Sequence, residues 1–509
     1  MLRFGVVLAI CFGLGSAADR PNILFILADD MGQWAAGTYG NPEIMTPNID
    51  MLAEEGIKFE NAFCNTPVCS ASRTSYFTGR LPSQHGVHDW IAGGNGCEGH
   101  PISYSKEETA YTDVLSQEGY TCGMSGKYHL GDSPHPQHGF SHWFVHQSGG
   151  GNYNDPPLVQ NETCVHIKGY ITDIITDDAI GFITNHTKST SKTPFYASVH
   201  YTSPHSPYTG SDGKADTMHP KEIVDLYSNC TFSFLPQEPM SPYAEYTGGL
   251  TRSCLGNRQC LLGYYAAVTA MDKNIGRLID TLKNLDIEDN TLVVFASDHG
   301  FNAGHHGLWG KGNAAYPLNM FDTSLKIPMI FRHKGALKPR VVQSPVQVID
   351  VAPTLLDYAG NFTFPQSINI AGSSFKSILE GNSVPFKNLF GEYGQTRSAR
   401  AEHMKYVTRA TGQIEIYNLD TDPKEETNLV NDPSYFVNGT FLNHALREWF
   451  SFYEDPYLSG WFLPVTGTGQ LQSIVYNMTG RPTGAPFNAL YRNREETLKT
   501  NSFSWWDFD

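Results

Sequence analysis

The chain predicts an α/β fold in which helices flank a large, mainly parallel β-sheet. Three apolar runs of strand length end near Ala28, Tyr201 and Ser297, and each is followed directly by polar residues. Apolar residues at three- and four-residue spacing predict a long helix over residues 265–285, and strands alternate with helices. Because the carboxyl ends of parallel strands share one sheet edge, these polar residues are expected to meet there.

Further local signals complete this outline. Thr46 and Pro47 are typical of a helix start, with Thr46 as the cap and Pro47 where a missing N–H is harmless. Ile327 to Phe331 is predicted as another buried strand. The region from Cys164 to Cys260 is predicted to be an elaborated loop rather than a separate domain, and we expect it to shape the rim of a site.

A smaller α+β domain is predicted in the C-terminal part of the chain. Residues 405–409 and 413–419 indicate short antiparallel strands, and the stretch from Phe441 to Tyr453 is amphipathic. An irregular tail rich in Gly, Pro and aromatic residues follows. The predicted divisions are a signal peptide at residues 1–18, the large α/β domain at 19–388 and the smaller domain at 389–509.

Length and composition fit an exported globular protein. The 509 residues, 40% of them hydrophobic, allow a large buried core. Arg3, the apolar stretch from Phe4 to Leu14 and Ser16-Ala17-Ala18 are typical of a secretory signal peptide. No later stretch has the roughly 18 apolar residues of a membrane-spanning helix, so secretion is expected, with the lysosome as an alternative destination. Six Asn-x-Thr sequons predict a glycoprotein: Asn161, Asn185, Asn229, Asn361, Asn438 and Asn477.

Net charge and cysteine content further limit the partners and the disulfides that the protein is expected to have. A net charge of −16 argues against nucleic acid as a partner, and it means that an anionic substrate needs a local cationic pocket. Of nine cysteines, Cys11 leaves with the signal peptide, and disulfides are expected among the others. Cys254 and Cys260 are the pair most easily joined, because Gly256-Asn257 can turn the short loop between them.

Acidic residues follow two of the three predicted strand ends. Asp29 and Asp30 come after the first run, and Asp298 and His299 come after the third. Adjacent carboxylates at a strand end repel each other unless a cation lies between them. A helix cap or a solvated turn is the alternative interpretation, but three carboxylates and a histidine at strand ends favour a metal site. Several carboxylate oxygens suit Ca²⁺ or Mg²⁺ rather than a softer metal.

Several short motifs resemble those of one enzyme family. They are Cys69-Ser70-Ala71-Ser72-Arg73, closed by Phe77-Thr78-Gly79-Arg80; Gly126-Lys127-Tyr128-His129-Leu130-Gly131; Ser203-Pro204-His205; and the two acidic strand ends. In this order they resemble the type I, formylglycine-dependent sulfatases, an arylsulfatase-like family of the alkaline phosphatase superfamily. The chain departs from the family at Ala71 and Phe77, where many sulfatases have Pro and Leu.

The resemblance implies a modified cysteine and a metal ion. Cys69 would be oxidised to formylglycine by the formylglycine-generating enzyme, and its hydrate would attack sulfur, expel the alcohol and leave a covalent sulfoenzyme. The second hydroxyl of the hydrate would then allow sulfate to depart. One cation, Ca²⁺ rather than Mg²⁺, is implied, although the family often has Asn where this chain has His299. Its expected ligands are Asp29, Asp30, residue 69, Asp298 and His299.

Five further site residues follow from the same resemblance. Arg73 lies four residues after the cysteine, on the same helical face, and would hold the hydrate and the metal-bound oxygens. Lys127 and His129, two apart in an extended segment, would point to sulfate and to the modified residue, with His129 as the base of the elimination step. His205 is expected to be the general acid, and Lys311 is expected beside the ester oxygen.

The predicted activity is hydrolysis of a sulfate ester, favoured to be a small or terminal carbohydrate ester, to alcohol and inorganic sulfate. The alternatives are a phosphodiesterase or phosphonate monoester hydrolase of the same superfamily, or a glycan-binding pseudoenzyme that never oxidises Cys69. A Cys64–Cys69 disulfide would also remove the nucleophile. Four histidines that precede Gly149-Gly150-Gly151 are candidates for lining the substrate's path: His135, His138, His142 and His146.

Overall fold

A ten-stranded mixed sheet forms the centre of the protein in the computed structural model, which describes residues 20–97, 100–191, 193–244 and 250–474. The predicted signal peptide lies outside these residues. In spatial order the strands are β13 (Arg340–Val342), β2 (Ile57–Phe59), β12 (Met329–Arg332), β9 (Thr291–Ser297), β1 (Asn22–Ala28), β8 (Phe195–His200), β4 (Thr121–Gly126), β5 (Phe140–His146), β6 (Pro157–Gln160) and β7 (Thr163–His166). Two small sheets pair β10 (Asn302–Ala303) with β11 (Trp309–Gly310), and β14 (Val346–Gln347) with β3 (Ala62–Phe63).

The three apolar runs predicted as strands form the middle of this sheet. β1 lies between β8 and β9 and runs parallel to both. In the register, Leu27 is opposite His200 of β8, and Ala28 is opposite Ser297 of β9. These strands are buried on both faces, which explains why their sequences are continuous apolar runs. The residues that follow them emerge at one sheet edge, as the sequence predicts.

Helices cover both faces of the sheet. They are α1 (Pro47–Glu54), α2 (Cys69–Thr78), α3 (Pro82–His85), α4 (Tyr111–Gln117), α5 (Ile171–Lys188), α6 (Lys221–Val224), α7 (Leu250–Cys254), α8 (Arg258–Asn284), α9 (Asp322–Leu325), α10 (Val351–Gly360), α11 (Lys376–Leu379) and α12 (Phe436–Tyr453). Leu24 and Ile26 of β1 belong to the core shared with α1, α5 and α8. Ile23 and Phe25 face the opposite core, shared with α2, α4 and α10.

The prediction of a loop from Cys164 to Cys260 is wrong for much of that region. Helix α5 occupies residues 171–188 and packs against α8 and against β8, the central strand that the apolar run before Tyr201 predicts. The predicted helix over 265–285 is confirmed, but it begins earlier, at Arg258, after a cap by the Asn257 side chain. Between β8 and α8, the described residues form mainly short helices and turns.

The predicted cap of α1 also needs correction. The Thr46 hydroxyl accepts a hydrogen bond from the N–H of Gly37 at 2.8 Å, and no side-chain cap bond to the helix is formed. Asp272 of α8 takes that role instead. Its Oδ1 accepts hydrogen bonds from the N–H groups of Asn48 at 3.0 Å and Ile49 at 2.8 Å. A carboxylate at this helix end is favourable because it satisfies unpaired N–H groups.

A separate, small antiparallel domain follows the large sheet, as the sequence predicts. Its strands, in spatial order, are β15 (Leu389–Tyr393), β16 (Thr396–Arg400), β17 (Met404–Arg409) and β18 (Glu415–Asn418). Helix α12 covers this sheet with Leu442, Leu446 and Phe450. The end of the predicted tail, residues 475–509, lies outside the described part of the chain.

Two disulfides join cysteines of the described ranges. One links Cys254 to Cys260, the pair that the sequence favours, and the other links Cys97 to Cys164. Both thiols of the alternative Cys64–Cys69 bridge are free. Among the described helices, none is long and apolar enough to cross a membrane.

Candidate active site

Cys69 is the first residue of α2 and lies inside the protein, with 2% of its surface exposed. The positive end of the α2 dipole therefore lies at the thiol. Its Sγ is 2.8 Å from Lys311 Nζ, 3.5 Å from His299 Nε2 and 4.0 Å from Asp30 Oδ1. The thiol lies among charged groups rather than in an apolar core.

The ionisation of this thiol is unusual for a buried cysteine. Burial by itself raises the pKa of Cys69, but Lys127 and Lys311, with smaller contributions from His129 and His205, outweigh burial and hold the pKa well below its usual range. The neighbouring Cys64 shows the opposite behaviour, because burial dominates there and raises the pKa of its thiol. A depressed thiol pKa is typical of reactive cysteines.

Four residues from two strand ends converge beside the cysteine. Asp29 and Asp30 follow β1, Asp298 and His299 follow β9, and all four side chains are buried. His299 Nε2 lies 3.2 Å from Asp30 Oδ1 and 3.5 Å from Asp298 Oδ1. The main-chain N–H of Asp30 donates to Asp298 Oδ1 at 3.2 Å. The two acidic motifs of the sequence therefore form one cluster.

Each carboxylate of this cluster has a buried cationic partner. The ion pairs are Lys127 Nζ with Asp29 Oδ2 at 2.6 Å, Lys311 Nζ with Asp30 Oδ1 at 2.6 Å, and Arg73 Nε with Asp298 Oδ2 at 3.0 Å. The structure thus brings together the three cationic side chains that the sequence predicts. Three negative and three positive charges cancel, which offsets the cost of burying each of them.

The cluster fits a divalent metal ion. One ligand atom each from Asp29, Asp30, Cys69 and His299 lies within 4.8 Å of the other three. The Oδ1 atom of Asp29 is buried and accepts no hydrogen bond from the described residues, so it is available as a ligand. Asp298, the fifth predicted ligand, is outside this group of four, and its Oδ1 lies 3.5 Å from His299 Nε2. Carboxylate oxygens favour a hard cation.

His129 is held as a neutral base. Its φ of +58° shows that it leaves the extended conformation that the sequence predicts for this segment. Nε2 lies 2.9 Å from the carbonyl oxygen of Ile91, and a carbonyl only accepts, so Nε2 carries the proton and Nδ1 does not. Burial lowers the pKa of His129 to about 4, which keeps the ring neutral at pH 7. The unprotonated Nδ1 is therefore able to accept a proton.

His205 has the opposite character. Its Nδ1 donates to the carbonyl of Ser206 at 2.7 Å, and its Nε2 lies 3.8 Å from Asp30 Oδ2. Burial by itself lowers the pKa of His205, but Asp30 and Asp29 outweigh burial and raise the pKa above its usual value. A protonated histidine suits a general acid, so the two predicted histidines differ in the way that acid and base roles require.

Three of the four candidate path histidines pair with aspartates, and a place for them on the substrate's path stays a prediction. The pairs are His135 with Asp132, His138 with Asp113 and His142 with Asp178. His146 is different, because it is buried at the end of β5 and interacts electrostatically with Lys127, His129 and His205. Only this member of the four lies beside the catalytic candidates.

Sequence reasoning missed two side chains that support the site. The hydroxyl of Tyr264 in α8 donates to the main-chain oxygen of Asp30 at 2.9 Å. His200 ends β8, and its Nδ1 lies 3.5 Å from Nη1 of Arg73. Tyr264 has no sequence signal, since it lies within an ordinary helical stripe. His200 could have been found from its position at a strand end.

The class of protein follows from this combination. A reactive cysteine, a cluster that fits a divalent cation, and an acid and a base histidine lie together at the carboxyl edge of parallel strands. Buried cationic groups beside them favour an anionic group in the substrate. These features define a hydrolytic enzyme that acts on anionic esters.

Comparison with known proteins gives the family. The family model described as Sulfatase matches residues 21–361, and a second one, described as N-sulphoglucosamine sulphohydrolase, C-terminal, matches residues 304–449. The chain therefore belongs to the sulfatase family, as a type I sulfatase of the alkaline phosphatase superfamily, and it is a sulfuric ester hydrolase.

Individual relatives match over most of the chain. The N-acetylglucosamine-6-O-sulfatase of Bacteroides thetaiotaomicron is 28% identical over 86% of this chain and 87% of its own. The ulvan-active sulfatase of Formosa agariphila is also 28% identical, over 84% of this chain and 83% of its own. The structure of BT4656 in complex with its substrate D-glucosamine-2-N,6-O-disulfate has a TM-score of 0.69 at 25% identity, and the match covers 85% of this chain and 98% of that chain.

Proposed function

We propose that this enzyme is a secreted sulfatase that removes sulfate from a carbohydrate ester, with residue 69 present as formylglycine. The observation that carries the proposal is the position of Cys69, at the start of a buried helix and 2.8 Å from Lys311 Nζ, beside the acidic cluster. Because only 2% of Cys69 is exposed, the formylglycine-generating enzyme would have to reach it before α2 is buried.

The cationic side chains support attack on a sulfate ester. Once oxidised and hydrated, residue 69 would supply the nucleophilic hydroxyl. Lys311 and Lys127 lie where they could neutralise sulfuryl oxygens, and Arg73 holds Asp298 through its Nε at 3.0 Å. Such fixed charges stabilise a transition state without reorganising during the reaction.

The two histidines support the proton transfers. His205 would protonate the leaving alcohol oxygen, since its environment favours the imidazolium form. His129 would take a proton from residue 69 when sulfate is released, because its Nδ1 is unprotonated and its ring is neutral. One site thus contains an acid and a base whose environments separate their pKa values.

The acidic cluster would hold one divalent cation, for which we propose Ca²⁺ rather than Mg²⁺. Bound there, the cation would supply positive charge and polarise its oxygen ligands. The proposed ligands are Asp29, Asp30, residue 69, Asp298 and His299. Since the three carboxylates and three cationic side chains already cancel, a divalent ion would leave the site positive. A positive site suits an anionic sulfate group.

A carbohydrate ester is the substrate class that we favour. The relatives include an N-acetylglucosamine-6-O-sulfatase and an ulvan-active sulfatase, and BT4656 was solved with a disulfated glucosamine. The net charge of −16 disfavours the approach of a long polyanionic chain. We therefore propose a small or terminal sulfated sugar.

Export and domain division complete the proposal. A signal peptide at residues 1–18 would direct the chain to secretion or to the lysosome. The five described sequon asparagines are all exposed, which supports N-glycosylation: Asn161, Asn185, Asn229, Asn361 and Asn438. The proposed boundary at residue 388 is supported by the start of β15 at Leu389.

The mass of the tryptic peptide Phe59–Arg73 tests the nucleophile. Protein from a host that contains the formylglycine-generating enzyme is reduced, alkylated and digested. We expect an aldehyde or its hydrate at residue 69, with Cys64 of the same peptide alkylated as the internal control. An alkylated Cys69 in every molecule would instead support a glycan-binding pseudoenzyme.

Substrate and metal are tested with the same preparation. We expect faster hydrolysis of an aryl sulfate than of an aryl phosphodiester or phosphonate ester, and the reverse order would indicate a phosphoryl or phosphonyl hydrolase. Chelation should remove one metal equivalent per chain, measured by mass spectrometry of the metal, together with turnover. Activity that returns with Ca²⁺ and less with Mg²⁺ would support the proposed ion.

A further inference from the structure

Two glycines lie directly against the two catalytic histidines. An ideal Cβ on Gly149 would lie 2.1 Å from Cε1, 2.3 Å from Nε2 and 2.6 Å from Nδ1 of His129. One on Gly150 would lie 2.9 Å from Nδ1 and 3.0 Å from Cε1 of His205. Because a Cβ atom has no room at either position, bare main chain packs on both imidazole rings.

Backbone conformation does not explain these glycines. Neither Gly149 nor Gly150 has a φ in the left-handed region, so other residues could adopt their backbone angles. The space above the rings is the constraint that excludes a side chain. Gly151 offers a comparison, since its Cβ would lie 3.6 Å from the ring of His146, at an ordinary contact distance.

The segment is anchored on both sides of the glycines. The N–H of Ser148 donates to Nδ1 of His146 at 3.1 Å, and the Ser148 hydroxyl donates to the carbonyl of Gly150 at 3.1 Å. Beyond the glycines, the buried hydroxyl of Tyr153 donates to the carbonyl of His205 at 2.7 Å. These contacts fix the segment to the end of β5 and to the loop that carries His205.

His129 is clamped between this segment and a carbonyl. The oxygen of Ile91 holds Nε2 at 2.9 Å, while Gly149 lies against the ring. The ring therefore has little freedom to tilt, and Nδ1 keeps one direction. A side chain at residue 149 would displace the His129 ring, because the ring atoms themselves occupy that space.

We propose that residues 148–150, which we call the glycine strap, position both catalytic histidines. Gly149 fixes the ring of His129, and Gly150 fixes the ring of His205. The strap touches the histidines rather than the reacting atoms, so Gly149 and Gly150 are positioning residues. The inference rests on the proposed function, since it takes the acid and base roles from there. Rings held by packing keep the geometry that proton transfer needs.

Three matched substitutions test the strap. Gly149→Ala should lower kcat by about tenfold or more, because a displacement of about 1 Å in a catalytic group has effects of that size. The loss should be similar for all esters, since His129 acts after the alcohol has left. Gly150→Ala should lower kcat more for sugar sulfates than for activated aryl sulfates. Gly151→Ala should match the wild-type enzyme in kcat and in unfolding temperature. Gly149→Ala and Gly150→Ala should stay folded but unfold at a lower temperature, because the added methyl group overpacks a buried ring.

Two kinetic outcomes would overturn the inference. Equal kcat values for Gly149→Ala and Gly151→Ala would show that Gly149 does not position the His129 ring. If kcat of Gly150→Ala fell equally for all leaving groups, Gly150 would not position the His205 ring.

A spectroscopic readout separates the strap from the proposed function. Histidine Cε1–H resonances, assigned with His129→Gln and His205→Gln, should move for His129 in Gly149→Ala and for His205 in Gly150→Ala. Neither should move in Gly151→Ala. Unmoved resonances in the first two variants would refute the strap. If they move while the wild-type protein hydrolyses no sulfate ester, the contact is supported and the proposed function fails.

Discussion

The pKa values of two histidines of one site are shifted in opposite directions by their immediate surroundings. The carbonyl of Ile91 accepts a hydrogen bond from Nε2 of His129, and burial keeps that ring neutral. His205 is also buried, yet the carboxylates of Asp30 and Asp29 raise its pKa. Residue type alone therefore does not assign the acid and the base, whereas the surrounding charges do.

The effect of removing the His205 side chain on activity should depend on the leaving group of the ester. For His205→Ala we expect kcat/KM on sugar sulfates to fall by about 10²–10⁴-fold, the usual contribution of a general acid. Activated aryl sulfates should lose much less, since a nitrophenolate leaves without a proton. Steady-state kinetics on both ester types measures the difference. His135→Ala, at an exposed histidine paired with Asp132, is the control. Equal losses on the two ester types would exclude the acid role.

Loss of Cys69 should abolish turnover and leave the fold intact. The thiol is free, so Cys69→Ala breaks no disulfide and removes only one small buried side chain. We expect the circular dichroism spectrum to be unchanged and no sulfate release above background. Cys230→Ala, at a free and half-buried cysteine, should keep full activity. Residual turnover in Cys69→Ala would show that another group is the nucleophile.

The residues of the candidate site could be proposed from the sequence because each lies next to a local pattern. Asp29 and Asp298 follow apolar strands, and Cys69 begins a motif that can be recognised by itself. Tyr264 and Gly149 carry no such pattern. Their roles depend on contacts with Asp30 and His129 that only the folded chain creates, so sequence spacing could not reveal them.

At the scale of elements, strands were easier to predict than some helices. β1 and β9 are short continuous apolar runs, which a parallel sheet buried on both faces requires. Helix α5 was missed although its buried residues include Ile171, Ile175, Ala179 and Ile183, spaced four apart. The many β-branched residues of this helix lower helix propensity and obscure that spacing.

The cap that α8 supplies to α1 gives a pH-dependent stability. Burial raises the pKa of Asp272 from 3.8 to about 6, against hydrogen bonds from Ile49 and Asn48 that lower it. A raised pKa means that the folded state binds the proton more tightly. The protonated Asp272 carboxyl group therefore stabilises the folded state fully below pH 3.8, and this stabilisation is lost as the pH rises through about 6. Asp272→Asn removes the titration.

Thermal unfolding should reveal this contribution. Between about pH 4 and pH 7, the stability of the wild-type protein relative to Asp272→Asn should fall by up to about 3 kcal/mol. Asp280→Asn, at an exposed carboxylate on the same helix, should show no such trend. A constant difference between wild type and Asp272→Asn across this range would contradict the assignment.

At the scale of the whole molecule, a buried ion pair network joins the two domains. Lys405 of β17 lies 2.8 Å from Asp322 Oδ1, at the start of α9, and 2.6 Å from Glu425 Oε1. Two residues after Asp322, the carbonyl of Ser324 accepts a hydrogen bond from the N–H of Gly300. Gly300 directly follows His299. The small domain is therefore connected to the segment that carries a proposed metal ligand.

The division into two domains could be predicted from the sequence, but this connection could not. The short strands predicted at residues 405–409 and 413–419 are local patterns that can be recognised in the sequence. Lys405 and Asp322 are 83 residues apart, and each resembles an ordinary surface charge in the sequence. Only the fold buries Lys405 completely and brings it to two carboxylates.

Removal of this buried cation should weaken the whole protein. Lys405→Met leaves Asp322 and Glu425 without their shared cation, and breaking a buried pair in this way costs about 3–5 kcal/mol. Denaturant unfolding measures the loss, and Lys424→Met, at an exposed lysine nearby, is the control. Asp322 keeps Arg400 at 3.1 Å, so Glu425 is the carboxylate left uncompensated. The double variant Lys405→Met/Glu425→Gln should therefore recover part of the stability, because it removes that charge. If Lys405→Met were as stable as Lys424→Met, the network would not hold the domains together. A higher free energy of unfolding for the double variant than for Lys405→Met would show that the interface requires charge compensation more than the packing of the lysine side chain.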